Sequence, residues 1–106
     1  MFDLFKRDDS KVIHVNDMDK LIGKVELIDI REPYEYRTGS LKTAKNIPMG
    51  NLLANPEKYL LKEKTYYIMC QSGARSRGAT RILSKQEYDI INVAGGIGSY
   101  VGTKRK

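Results

Sequence analysis

Four stretches of the chain gather β-branched and aromatic residues between turn formers, at residues 12–15, 25–30, 65–69 and 90–93. This pattern predicts strands. A shorter run at 45–47 stops at Pro48 and predicts a fifth. The runs at 25–30 and 65–69 are almost continuously apolar, as strands buried on both faces are. Helical signals lie between them. Asn16 or Asp17 is placed to cap a helix that runs through Leu21 and Ile22 and is ended by Gly23. Pro33 stands where a first helical residue belongs, and Gly39 where a helix stops. The 3.6-residue period is clearest later in the chain: Ala79, Ile82 and Leu83 form an apolar stripe, with Arg77, Arg81 and Lys85 off it. Gly78 would let that helix pack closely on a sheet. Strands alternating with helices predict an α/β fold around a mainly parallel sheet.

The length of 106 residues fits one domain over 1–106, with a core at about 10–101 and a basic tail at 102–106. A hydrophobic fraction of 41% and a charged fraction of 30% are ordinary for a globular chain and exclude collagen-like and disordered classes. Net charge is +6, and Lys104, Arg105 and Lys106 supply half of it as an expected solvated end. No basic face is interleaved with aromatics, so a nucleic-acid partner is not expected. Residues 1–9 lack the apolar stretch of a signal peptide. No run approaches the ~20 apolar residues of a membrane helix. The expectation is a cytoplasmic protein with no membrane partner.

The sequence has one cysteine, which excludes an internal disulfide and a thiolate metal cluster built from this chain alone. No Asp or Glu falls between Glu63 and Glu87, whereas Lys64, Arg75, Arg77, Arg81 and Lys85 surround that cysteine in sequence. An anion near Cys70 is therefore expected to meet a positive field. Cys70 follows the most apolar strand directly and precedes a loop, Gln71, Ser72, Gly73, Ala74 and Arg75, that leads into a helix. In open α/β sheets, ligands bind outside the carboxyl ends of strands. Backbone N–H groups of the turn, with the positive end of the helix, make an anion cradle there. A thiol so placed has its thiolate favoured. Gly73 lets the loop turn inward, and Arg75 can offer a bidentate guanidinium to an oxyanion. The alternative is a buried core cysteine, since free Cys is among the most buried residue types.

The loop from Cys70 to Arg75 resembles the active-site loop of the rhodanese family. Two flanking segments agree. Asp29, Ile30, Arg31 and Glu32, followed by Glu35, Tyr36, Gly39 and Ala44 to Pro48, look like the family's N-terminal signature. Asn92 to Ile97 with Tyr100 looks like its C-terminal one. Ser40 and Tyr100 replace the histidine and tryptophan usual at those places, and both positions read as structural. The resemblance implies a five-stranded, mainly parallel sheet with helices on both faces. It also implies a sulfurtransferase in which Cys70 is catalytic and carries sulfur as a persulfide, held by loop N–H groups from Gln71 to Ser76. The donor is a small molecule such as thiosulfate or a persulfide; the acceptor is a low-molecular-weight or protein thiol, or cyanide in vitro. No metal or organic cofactor is required. Asp29 and Arg31 are expected to tie neighbouring loops together.

Other readings are weaker. Phosphatase-type loops are one residue longer, Cys-x5-Arg, against Cys-x4-Arg here, and the smaller ring suits one sulfur better than a tetrahedral oxyanion. A persulfide carrier or a non-catalytic rhodanese-like regulatory or binding module is the remaining alternative. Gly96 and Gly98 lack the third glycine of a dinucleotide fingerprint, since position 101 is Val101. His14 is read as a plain strand residue.

Overall fold

The computed structural model describes residues 11–106, so the reading of residues 1–9 lies outside the described residues. Five strands form one sheet: β1 (Val12–His14), β2 (Glu26–Asp29), β3 (Lys45–Asn46), β4 (Thr65–Met69) and β5 (Asp89–Ala94). Their order is β1-β5-β4-β2-β3, and every pairing is parallel. The central strand is β4, as its apolar run requires. From β2 the chain crosses to β3 on one side; from β4 it crosses to β5 on the other. The carboxyl ends of β2 and β4 therefore flank the switch point where α/β sheets hold ligands. Cys70 follows β4 at that point.

Side-chain alternation along β4 divides the core. Tyr66, Ile68 and Cys70 join Leu52, Leu60, Ala79, Leu83 and Ile90 on the face covered by α2 (Met49–Ala54), α3 (Pro56–Tyr59) and α4 (Ala74–Lys85). Met69 joins Val15, Met18, Leu41, Val93 and Tyr100 on the other face. Two 3-10 turns, Val15–Asp17 and Ile97–Ser99, contribute to the cover there. The helix expected after residue 16 shortens to the first of these turns. His14 Nδ1 accepts the Asn16 N–H, and Gly23 is left-handed at φ +89°, while Leu21 and Ile22 still pack inward. Pro33 does begin a helix, α1 (Pro33–Tyr36).

In α4 the buried stripe is Ser76, Ala79, Thr80 and Leu83, while Ile82 is 44% exposed. The stripe lies one position off the expected one because two hydroxyl residues are buried with partners of their own. Thr80 Oγ1 donates to the Ser76 carbonyl at 2.7 Å, and Ser76 Oγ donates to Asn92 Oδ1. Gly78 is not a close-packing site: a Cβ there would meet nothing within 4 Å.

The basic end is solvated, with Lys104, Arg105 and Lys106 exposed, but its backbone is tied down. Arg105 forms an isolated antiparallel bridge with Leu41, and the Lys106 and Ser40 backbones exchange hydrogen bonds. Arg105 lies over the Tyr100 ring and Lys106 over the Tyr36 ring, a favourable cation–π placement. Tyr100, in turn, donates to Asp19. Among the described residues, no helix is long and apolar enough to cross a membrane.

Truncation at Leu83, fully buried in α4, is expected to cost about 2–5 kcal/mol. The same change at the neighbouring Ile82 should stay within about 0.5 kcal/mol, the range of surface substitutions. Denaturant midpoints for Leu83→Ala and Ile82→Ala measure the contrast; equal losses would return Ile82 to the stripe.

Candidate active site

The turn between β4 and α4 curls back on its own first residue. The Gly73 N–H donates to Cys70 Sγ at 3.1 Å and the Ser76 N–H at 3.4 Å. Ser76 Oγ lies 3.5 Å from the same sulfur. This curl depends on Gly73, which has φ +99° and whose Cβ, if present, would sit 2.9 Å from the Gly95 nitrogen. Other residues rarely adopt that conformation. Of the loop's other members, Gln71, Ser72 and Ala74 are exposed, and the Ser72 hydroxyl accepts the Ala74 N–H at 3.4 Å.

Cys70 does not stand open to a crevice. Its exposure is 0%, because the turn after β5 closes over the loop. Ile97 N–H donates to the Cys70 carbonyl at 3.0 Å and Gly98 N–H to the Gln71 carbonyl at 2.9 Å. Gly96 makes this contact possible, since a Cβ there would lie 2.4 Å from the Cys70 carbonyl oxygen. The sequence expectation is thus half met: the amides converge on the sulfur, but the sulfur is enclosed. Burial pushes the Cys70 thiol up. The Ser76 hydroxyl and the N–H groups of Ser76, Gly73 and Ser72 pull it down, and they prevail, so its pKa falls below the ordinary thiol value. An apolar core cysteine would shift the other way.

Arg75 does not offer its fork to a ligand. Nη1 and Nη2 donate to the two carboxylate oxygens of Glu35 at 2.9 and 2.8 Å, a bidentate pair joining α4 to α1. Glu35 Oε1 also accepts the Glu32 N–H at the start of α1. The Arg75 guanidinium holds Glu35 down at about 2. Sequence reading quoted Glu35 only as part of a motif. Its role was hidden because the partners are 40 residues apart, and the acid-free interval around Cys70 receives its carboxylate from another segment.

Asp29 and Arg31 occupy the carboxyl end of β2. Arg31 Nε and Nη2 donate to the Asp29 carboxylate, at 3.0 and 2.8 Å, and Nη2 also reaches the Gly39 carbonyl at 2.7 Å. Arg31 Nη1 donates to Gln71 Oε1 at 3.2 Å, and Ser40 Oγ to Asp29 Oδ2 at 2.8 Å. This buried pair joins the 39–40 turn to the cysteine loop. His14 approaches from the other side, with Nε2 2.9 Å from where a Gly95 Cβ would be. Asn92, bonded to Ser76, is a member that sequence reading placed only within a motif. A cavity of about 580 Å³ lies at the opposite end of the sheet, among Lys24, Lys64, Thr65 and Asp89, and includes none of the loop.

The chain is thus a parallel α/β protein with a cysteine at the switch point of its sheet, whose sulfur accepts backbone N–H groups of the loop that follows it. A family model described as Rhodanese-like domain matches residues 14–103, and the chain belongs to that family. It is 40% identical over 83 residues to YtwF of Bacillus subtilis, covering 76% of this chain and 78% of that one. A sulfurtransferase of Allochromatium vinosum is 38% identical over 74 residues, covering 69% of this chain and 68% of its own. The crystal structure of a rhodanese-like domain protein from Staphylococcus aureus superposes with a TM-score of 0.80 at 26% identity, over 91% of this chain and 96% of that one. Sulfur transfer is accordingly the general activity to which the relatives point.

Because Glu35 is held at about 2, its pair with Arg75 contributes stability that is complete above the unfolded carboxyl value of about 4.3 and is lost as pH falls toward 2. The stability difference between the wild type and Glu35→Gln should therefore be largest near neutrality and shrink through the acid range. Denaturant titrations at stepped pH check this; a difference independent of pH would show that the pair is not what the substitution removes.

Proposed function

We propose that the protein is a sulfurtransferase whose Cys70 carries a sulfane sulfur as a persulfide. The observation that carries this reading is the meeting of the Gly73 and Ser76 N–H groups on Cys70 Sγ. In the first step the Cys70 thiolate attacks the outer sulfur of a donor, such as thiosulfate or a persulfide. The new Sγ–S bond forms as the donor's S–S bond breaks, and the electron pair leaves with sulfite or a thiolate. In the second step an acceptor nucleophile takes the outer sulfur, and the pair returns to Cys70. The acceptor is a low-molecular-weight or protein thiol, with cyanide serving in the test tube. Two easier displacements thus replace one difficult transfer, with preformed dipoles facing the charge on sulfur. The chemistry requires no metal or organic cofactor, and it suits a reducing, cytoplasmic setting.

The roles divide by geometry. Cys70 is the nucleophile. Gln71 to Ser76 form the cradle, in which Gly73 and Ser76 donate to sulfur and Arg75 clamps the loop to α1 through Glu35. Asp29 and Arg31 brace Gln71 from β2. Complete enclosure of Cys70 also favours a second reading, a persulfide carrier that exchanges sulfur only when a partner protein displaces the loop. The two differ in turnover: an enzyme cycles with small acceptors, whereas a carrier loads once and waits.

Incubation with thiosulfate or a small persulfide should add one sulfur atom to the intact mass, removable by dithiothreitol, and Cys70→Ser should abolish both the adduct and transfer. No adduct from any sulfane donor would overturn the reading in favour of a binding module. Arg75→Ala should lower loading from thiosulfate and from an uncharged persulfide alike, on the order of a hundredfold, the scale of a misplaced reacting group. A loss confined to thiosulfate in the same donor panel would show the guanidinium contacting the oxyanion instead.

A further inference from the structure

Ser76 Oγ has more acceptors around it than protons to give. It is 3.5 Å from Cys70 Sγ, 3.2 Å from the Gly73 carbonyl, and hydrogen-bonded to Asn92 Oδ1. A hydroxyl donates one proton and accepts through two lone pairs. Ser76 is fully buried and Asn92 only 6% exposed, so no partner in this set is freely replaced by water. Asn92 pairs in register with Ile68, two residues before Cys70, on the face of the sheet that α4 covers. Its neighbour along the same face of β5 is Ile90, part of the apolar cluster. An amide at such a place is costly unless bonded, and the bond it makes leads to the sulfur through one hydroxyl.

The direction of that hydroxyl depends on the charge of Cys70. With a neutral thiol, S–H donates to Ser76 Oγ and Ser76 O–H donates to Asn92 Oδ1. With a thiolate, the same arrangement would turn a Ser76 lone pair toward a negative sulfur. We propose that Asn92 is a positioning residue that sets the polarity of the Ser76 hydroxyl: when Cys70 ionises, the Asn92 amide turns over about χ2. Nδ2 then donates to Ser76 Oγ, which frees the Ser76 proton to donate to the anionic sulfur. The thiol proton departs to water; the Ser76 and Asn92 protons stay on their own atoms and only change direction. Asparagine suits this role because its two ends are a donor and an acceptor of nearly equal shape. Asn92 also lines a cavity of about 320 Å³ with Arg77, Thr80 and Ala94, space in which the side chain can turn.

Charged and titratable groups approach the loop from each neighbouring element. Asp29 and Arg31 come from the end of β2, Tyr34 and Glu35 from α1, Arg75 from α4 and His14 from β1, while Lys11, Arg77 and Arg81 line the cavity beside Asn92. None of them is altered by a substitution at Asn92 or Ser76.

The test follows the ionisation of Cys70 in the folded protein by the NMR chemical shift of its Cβ against pH, and does not require that Cys70 carry sulfur. Asn92→Asp can only accept, so it holds the Ser76 proton away from sulfur. The midpoint should move up by about one unit, a tenfold loss of thiolate below it. Ser76→Ala should also raise the midpoint, and adding Asn92→Asp to Ser76→Ala should then change little. An Asn92→Asp shift of equal size in both backgrounds would show a through-space charge effect, and no shift would show that Asn92 does not act on the sulfur; either overturns the proposal. Should the aspartate variant fail to fold, Asn92→Leu, which can neither accept from Ser76 nor donate to it, is the second test. Its midpoint shift should be present with Ser76 in place and absent in the Ser76→Ala background, whereas an equal shift in both, or none in either, would sink the idea. The unfolded chain gives its own separate Cys70 signal, so loss of stability alone changes the amount of folded signal and not its pH midpoint.

Discussion

Two N–H groups and one hydroxyl, brought to a single sulfur atom by a six-residue curl of backbone, are what the rest of this structure serves. The curl is sterically demanding. It presses Gly73 against the backbone of Ala94 and Gly95, and brings Gly96 against the carbonyls of Cys70 and Gln71. At each contact the atom that a side chain would strike is backbone, which cannot swing aside as a flexible side chain can. The sheet supplies the rigid frame for this approach: β4 and β5 are paired over Thr65 to Ile68 and Asp89 to Asn92, so the turns that follow both strands emerge side by side. Fold and site are joined at that point, for the same ladder that buries Ile68 and Ile90 sets the distance between the cysteine loop and its cover.

Ion pairs then fix the curl laterally. Arg75 is bound to Glu35, tying the first turn of α4 to α1, and Arg31 is bound to Asp29 while reaching Gln71. The second pair is deeply buried, where losing one partner is far worse than never having had either. Its remaining hydrogen-bonding capacity is taken up by Ser40, Gly39 and Gln71. The C-terminal segment reinforces the same corner by bonding to Ser40 and Lys42. A residue pair at the end of β2 therefore organises three segments that the chain visits far apart in sequence.

What could be read from the sequence was whatever depends on local pattern. The β4 run, the strand-to-helix turn at Cys70, Pro33 at a helix start and the requirement for Gly73 all follow from residue types at fixed short spacing. The α4 face was misplaced by one position because Ser76 and Thr80 look polar to a periodicity argument. They are buried only because a helix carbonyl and Asn92 satisfy them. The fate of Arg75 was not legible for a different reason. Charge along the chain suggested a positive surround, but the neutralising carboxylate arrives from α1, and only tertiary structure reveals it. The basic end is exposed as its charge suggests, but its backbone pairing with residues 40–42 leaves no mark in composition.

These corrections alter how the site handles charge. The Arg31 and Arg75 guanidiniums are both matched by carboxylates, so neither stands as a free cation for the anionic state of Cys70. It is balanced by dipoles: two N–H groups in contact, a hydroxyl whose direction can change, and the positive end of α4. Dipolar stabilisation falls off faster with distance than that of an ion, and it rewards a charge concentrated on one atom at the focus of the donors. It also resists screening, because a sulfur with no exposed surface excludes the mobile ions that weaken surface charge pairs. A compact sulfur anion gains the full set of contacts. A tetrahedral oxyanion spreads its charge over oxygens that two amides and a hydroxyl cannot all reach, and the Arg31 and Arg75 guanidiniums are already bound to carboxylates. Under the proposed sulfur-transfer role, the paired arginines bear on the choice of anion as much as the small ring does.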